Sequence, residues 1–172
     1  MLDAQGNPFP TKIALRTRSD KDIENQQLWH IADFEWNKLV EFDKYAAKKV
    51  SDACPIYNCH GLTFGSRRTS VYESPLFVLG EDGFEQIPER DTRVGDIVVY
   101  FDSNGAESHT GIVIGEEYLG AGDTLQSRGG RLPLIWSKWA KGPEFVHTVG
   151  NCPYDASTVR YFRLVWRRNE QN

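Results

Sequence analysis

The sequence predicts an α+β fold in which N-terminal helices pack on an antiparallel β-sheet. In the first third, apolar residues recur at intervals of three and four, which is typical of helices. In the second half, runs of β-branched and aromatic residues alternate with turn signals, which is typical of antiparallel strands. Helices followed by strands predict the α+β class. The 172 residues predict one domain, in which residues 1–20 form an irregular N-terminal arm.

The first predicted helix covers residues 23–50 and should end before Pro55, because the residue before a proline disfavours helical backbone angles. Its apolar positions are Trp36, Leu39, Val40, Ala46, Ala47 and Val50. A second, short helix should begin within NCHGLTFG, with Asn58 as its N-cap. Gly61 and Gly65 lie four residues apart and would let another element approach closely. Residues 71–92 are predicted to form a loop with a short helix.

The strands are predicted from residue 97 onward. Residues 97–100 are β-formers, and the following DSNG sequence is a hairpin signal. The returning strand should include residues 111–114. Further strands are predicted at residues 134–139, 144–147 and 159–166, and residues 116–133 form a long glycine-rich excursion.

The composition limits the possible partners. A net charge of −4 gives the chain no overall basic excess, so nucleic acid is not the expected partner. The sequence contains no run of 18 apolar residues, which is the length that would predict a membrane span. We therefore expect no membrane partner. The N-terminus has no apolar signal-peptide core. We therefore expect a cytoplasmic protein, or one exported without a classical signal peptide.

Cys59 is the candidate nucleophile, because the sequence places it at the start of the second helix. The thiolate is the reactive form, and a nearby imidazolium favours that form. His60 is expected to be a poor partner, since adjacent helical residues point in different directions. His109, after the hairpin turn, is the better candidate for the catalytic base. Tyr57 is expected either to contribute its hydroxyl or to cover the site.

A catalytic triad also needs a residue that orients the imidazole. Three residues after His109 are candidates. Ser137 lies in WSKW, His147 ends EFVH, and Gln126 lies in the glycine-rich excursion. We favour His147 or Ser137 and leave the choice between them open.

Three motifs in this order resemble the NlpC-type and CHAP-type papain-like cysteine hydrolases: YNCHGLTFG, RVGDIVVYFD and SHTGIVIG. The resemblance covers residues 55–147. In it, Cys59 matches the nucleophile of the family and His109 matches the base. Gly95 and Asp96 match the turn before the family's first strand. It implies a papain-like fold, amide hydrolysis through a thioester, often in cell-wall peptides, and no cofactor or metal. The family usually has an aspartate where this chain has Asn58, which puts the recognition of a substrate amino group in doubt.

The implied substrate is a peptide or a peptidoglycan stem. One setting that fits is a toxin delivered into rival bacteria, whose partner would be a cognate immunity or inhibitor protein. The alternative is a non-catalytic binding module on the same fold. The odd number of cysteines, three, predicts at least one free thiol. A zinc site built from Cys54, Cys59, His60 and Cys152 is disfavoured, because its spacing matches no common zinc pattern.

Overall fold

The computed structural model describes residues 12–27, 45–118 and 130–165. These residues form nine β-strands and two α-helices. In chain order the elements are β1 (Asn25–Gln26), β2 (Lys48–Lys49), α1 (Cys59–Phe64), β3 (Ser70–Val71), α2 (Pro75–Glu81), β4 (Phe84–Ile87), β5 (Ile97–Phe101), β6 (Glu107–Tyr118), β7 (Arg131–Lys138), β8 (Glu144–His147) and β9 (Thr158–Leu164). Seven of the strands form one sheet in the order β2-β8-β7-β6-β5-β9-β4, and β1 pairs with β3 in a second, two-stranded sheet. Each pairing between these strands is antiparallel.

The predicted α+β, papain-like fold with N-terminal helices is wrong. The seven-stranded antiparallel sheet dominates the described residues, whose two α-helices have only six and seven residues. Both helices lie between β2 and β4, and neither belongs to the N-terminal region. Within the described ranges the chain is therefore mostly β, and residues 12–27 contribute no helical layer.

The helix predicted for residues 23–50 is wrong at both ends. Its first residues include β1, which pairs with β3, and its last residues include β2, which pairs with β8. Residues 28–44 lie outside the described residues. The partner of β2 is about a hundred residues away in the chain, so local periodicity carried no information about this pairing.

Several local predictions are confirmed. Asn58 is the N-cap of α1, and its side chain accepts a hydrogen bond from the backbone N–H of Gly61. The hairpin between β5 and β6 turns at Asp102, which accepts the N–H of Gly105, and Gly105 has the positive φ of 80° that such a turn favours. The strands predicted in the second half correspond to β5–β9. Residues 71–92 contain α2 but also the unpredicted β4.

Strand β5 is buried on both faces because it lies between two apolar clusters. Val98 and Tyr100 point into a cluster with Ile135 of β7. The alternate residues of the strand point into a second cluster with Leu79 of α2 and Phe162 of β9. This alternation follows from the two-residue period of a strand. It explains why the continuous apolar run IVVYF forms a central strand.

The Gly-Asp pair before β5 joins this strand to β9. The Asp96 carboxylate accepts two hydrogen bonds from the Arg163 guanidinium, at 2.9 and 2.7 Å. It also accepts the backbone N–H of Arg93 at 2.7 Å. Asp96 is 3% exposed, so this charge is buried and neutralised by a bidentate partner. The motif therefore has a structural role.

Neither described helix is long and apolar enough to cross a membrane.

Candidate active site

Asn58 fixes the start of α1 and thereby the position of Cys59. Its Oδ1 accepts the backbone N–H groups of Gly61 at 2.8 Å and Val71 at 3.1 Å. Its Nδ2 donates to the carbonyl of Val71 at 2.8 Å. The side chain thus caps α1 and ties it to β3. Through these three bonds the amide of Asn58 serves the fold.

Gly61 allows α1 to lie directly against the chain before β3. A Cβ atom at this position would lie 2.0 Å from the carbonyl oxygen of Thr69 and 2.9 Å from the Cβ of Tyr57. Real Cβ atoms are not found so close to a backbone oxygen. The close approach predicted for this glycine is therefore present.

His109 lies on β6 at a local irregularity of the sheet. It pairs with Tyr100 of β5, but the next pair along is Phe101 with Glu107, which leaves Ser108 as an extra residue. The hydroxyl of Ser108 lies within hydrogen-bond distance of two carbonyl oxygens, that of Asp155 at 2.9 Å and that of Tyr100 at 3.2 Å. Bulges of this kind redirect side chains and occur next to active sites.

The His109 ring is fully buried, with 0% exposure. It stacks on the ring of Tyr154, with centroids 4.0 Å apart and planes within 7° of parallel. Within the described residues, neither ring nitrogen has a hydrogen-bond partner of good geometry. A buried imidazole with two unsatisfied nitrogens is costly, and it is available to a thiol, a substrate or an ion.

The structure brings Cys59 and His109 together, although fifty residues separate them in the chain. Cys59 is 8% exposed. Burial, the largest influence, raises the pKa of the Cys59 thiol, but the His109 and His60 imidazoles together outweigh it and hold the pKa well below its usual value. The surroundings of the sulfur are therefore polar and favour the thiolate.

His60 contributes to the site, contrary to the sequence expectation. Burial lowers the pKa of His60, but the Cys59 thiolate and the Glu107 carboxylate more than compensate, so that the pKa is raised. Glu107 is held by the hydroxyl of Ser74, which donates to it at 2.7 Å. Adjacent helical side chains do diverge, yet the imidazole of His60 reaches back to the sulfur. The signals in the sequence were the Cys-His dipeptide itself and the acidic residue two positions before His109.

Ser137 and His147 bind each other. The Nδ1 of His147 lies 2.9 Å from the carbonyl oxygen of Thr148, which can only accept, so Nδ1 carries the proton. Burial lowers the pKa of His147 to about 4, which keeps the ring neutral at pH 7. Nε2 therefore accepts from the Ser137 hydroxyl, 2.7 Å away, and that hydroxyl accepts from the Trp139 indole at 3.1 Å.

The residue that orients His109 stays a prediction. His147 lies close to His109, but its hydrogen bonds go to Ser137 and Thr148. Ser137 lies opposite Gly111, two residues beyond His109 on β6. Gln126, the third candidate, lies outside the described residues.

Tyr57 binds the buried carboxylate of Glu144 beside the site. Its hydroxyl donates to Glu144 at 2.7 Å. Arg67 donates twice to the same carboxylate, at 2.7 and 3.2 Å, and the Trp136 indole donates at 3.0 Å. Glu144 thus joins the segment before α1, the segment after it, and the sheet. The Tyr57 hydroxyl is used in this network.

Within the described ranges, one cluster of side chains could bind a metal ion. Its members differ from the four residues considered in the sequence analysis. His109, His147 and Cys152 each present one donor atom, and these atoms lie within 4.8 Å of one another. All three residues are buried. Cys54, Cys59 and Cys152 are free thiols, and burial raises the pKa of Cys152 to about 12.

No family model, no curated protein and no solved structure matches this chain.

Proposed function

We propose that this chain is a cysteine-dependent amide hydrolase, with Cys59 as the nucleophile and His109 as the general acid and base. The observation that carries the proposal is that two imidazoles, one from α1 and one from β6, act on the Cys59 sulfur and favour its thiolate form. A buried thiol in an apolar core has its pKa raised, as that of Cys152 is. The pKa of Cys59 is instead lowered, and a lowered pKa is the property that a thiolate nucleophile needs.

The reaction balances as an acyl transfer. The Cys59 thiolate attacks the amide carbonyl carbon, and the C–N bond breaks as the His109 imidazolium gives its proton to the leaving amine. The product is a thioester on Cys59. His109 then takes a proton from water, the hydroxide displaces the sulfur, and the free carboxylate leaves. No metal or organic cofactor takes part.

We assign the substrate to peptides or peptidoglycan stems, on the strength of the motif order shared with cell-wall hydrolases. An apolar groove of about 650 Å³ has Tyr57, Arg67 and Trp136 in its walls, but neither Cys59 nor His109 lines it. The Arg67 guanidinium lies 4.3 Å from the centre of the Trp136 ring. A toxin delivered into rival bacteria, with an immunity protein as its partner, is the biological setting that we attach to this activity.

A non-catalytic binding module is the second candidate function. The observation in its favour is the burial of the reacting groups, since Cys59 is 8% exposed and His109 is fully buried. An enzyme needs a path for the substrate to the sulfur, whereas a binding module does not.

Labelling with iodoacetamide at pH 6 separates the two candidates. In the hydrolase, Cys59 is alkylated faster than Cys54 or Cys152, as read by mass spectrometry of the digested protein. Wild type then cleaves purified muropeptides or other amide substrates, and Cys59→Ala does not, whereas Cys54→Ser, the matched control, cleaves at the wild-type rate. Slow and equal labelling of all three cysteines would favour the binding module.

A further inference from the structure

We infer that His109, His147 and Cys152 form a binding site for one zinc-class transition-metal ion. The three residues come from separate parts of the fold. His109 lies on β6 and His147 ends β8. Cys152 follows a short 3₁₀ turn after β8. Their donor atoms lie within 4.8 Å of one another, and the exposure of the three residues is 0%, 1% and 8%.

The donor atoms identify the class of ion. Two imidazoles and one thiolate suit zinc and copper(I). The group of three contains no carboxylate, and calcium and magnesium require oxygen ligands. Three protein ligands also leave one position of a tetrahedral zinc ion open.

The hydrogen bonds of His147 prepare it as a ligand. Its Nδ1–H donates to the carbonyl of Thr148, which is the outer bond that most metal-bound histidines make. This bond fixes the tautomer in which Nε2 holds the free lone pair. The present partner of Nε2 is the hydroxyl of Ser137, which would turn away when the ion binds.

The nitrogens of His109 supply an independent observation. The ring is wholly buried, and neither nitrogen has a hydrogen-bond partner of good geometry among the described residues. Buried polar groups are normally satisfied. An ion bound to one of these nitrogens, with the Cys152 thiol losing its proton to solvent, would satisfy it.

Binding requires a small contraction of the site. Zinc–sulfur and zinc–nitrogen bonds of about 2.3 and 2.0 Å place tetrahedral ligand atoms about 3.5 Å apart, so donor atoms as far apart as 4.8 Å must close by about 1.3 Å. Cys152 lies outside the strands, in the connection between β8 and β9, so a movement of this residue toward the two histidines breaks no strand pairing.

Zinc at this site would regulate the enzyme, a consequence that depends on the proposed function. His109 cannot both coordinate a cation and accept a proton during the reaction. The ion would therefore silence Cys59 without binding it. Removal of zinc by a chelator would restore activity.

Cobalt(II) titration of the metal-free full chain tests the site without any assay of activity. We expect one cobalt per chain, the visible bands of tetrahedral cobalt and a near-ultraviolet thiolate-to-cobalt band, with zinc displacing the cobalt. Cys152→Ser should remove the thiolate band and His147→Gln should weaken binding at least about tenfold. Cys54→Ser and Cys59→Ser should keep the spectrum, and circular dichroism should show that every variant is folded.

Two results would overturn the site: no thiolate band in the wild type, or a band that survives Cys152→Ser and disappears in Cys59→Ser. Zinc inhibition of muropeptide cleavage is measured separately. If cleavage depends on Cys59 but the wild type gives no thiolate band, the metal site fails and the proposed hydrolase stands. If no substrate is cleaved and the cobalt spectrum behaves as expected, the hydrolase fails and the metal site stands.

Discussion

The hydroxyl oxygens of Thr63 on α1 and Thr110 on β6 lie 3.0 Å apart, within a hydrogen bond that joins the helix of Cys59 to the strand of His109. Thr63 also donates to the carbonyl of Cys59 at 3.0 Å. A carbonyl oxygen can only accept a hydrogen bond, so the Thr63 hydroxyl is the donor to Cys59. The Thr110 hydroxyl is therefore the donor in the bond between the two threonines. This bond fixes the helix to the strand one residue from His109.

Thr110→Val should therefore loosen the pairing of Cys59 with His109. The substitution keeps the shape of a side chain that is 0% exposed and removes its donor. We expect the free energy of unfolding to fall by about 1 kcal/mol and the labelling of Cys59 at pH 6 to slow. Urea denaturation and mass spectrometry measure the two effects. Thr158→Val, at an exposed position of β9, is the control and should change stability by less than about 0.5 kcal/mol. Equal effects of the Thr110→Val and Thr158→Val substitutions would contradict the role of Thr110.

Gly61→Ala should destabilise the protein strongly, because its Cβ would meet the carbonyl oxygen of Thr69 at 2.0 Å. We expect a loss of about 3 kcal/mol, the upper end for overpacking against atoms that cannot turn aside. Gly80→Ala is the matched control in α2, where an added Cβ meets nothing within 4 Å. It should leave stability unchanged or raise it by up to about 1 kcal/mol. Thermal unfolding of both variants checks this, and a Gly61→Ala protein as stable as wild type would contradict the packing.

Glu144→Gln should reduce stability in a pH-dependent way. Burial raises the pKa of Glu144, but hydrogen bonds from Arg67, Tyr57 and Trp136 together with the Arg67 charge outweigh it, so the pKa is lowered. A carboxylate whose pKa is lower in the folded state stabilises the fold above its unfolded pKa and loses this effect as the pH falls through the folded value. We expect the variant to be about 2 kcal/mol less stable at pH 7 and the difference to shrink below about pH 4.3.

Urea denaturation at several pH values between 7 and 3 measures this difference. Glu117→Gln, at an exposed position of β6, is the control and should show little change at any pH. A gap between wild type and Glu144→Gln that stays constant down to pH 3 would contradict an ionised Glu144 in the folded state.

The parts of the fold that the sequence predicted are those encoded by neighbouring residues. The Asn58 cap, the hairpin at Asp102 and the apolar run of β5 each depend on a few adjacent positions. The short strands β2 and β4 were missed because their partners, β8 and β9, lie far along the chain. A strand of two or four residues carries too little local pattern to identify it without that partner.

The site shows the same limit. Cys59 and His109 were identifiable because each follows a local signal, a helix start and a hairpin turn. The bond between Ser137 and His147 depends on the register of β7 and β8, in which His147 pairs with Ile135, two residues before Ser137. Register is set by packing across the sheet. The contact of His60 with the Cys59 sulfur depends on a side-chain rotamer, for which helical periodicity gives no signal.

His60→Ala should raise the pKa of Cys59, because His60 is one of the two imidazoles that lower it. In alkylation of the metal-free protein across a range of pH, we expect the midpoint of Cys59 labelling to move to higher pH, because the thiolate loses one of the two imidazoles that stabilise it. Cleavage should slow but persist in His60→Ala, since His109 still transfers the proton, and should disappear in His109→Ala. The labelling of Cys54 in the same samples is the internal control and should not move. If the midpoint of Cys59 labelling is unchanged in His60→Ala, His60 does not act on the sulfur. His109 would then be the one imidazole, within the described residues, that does.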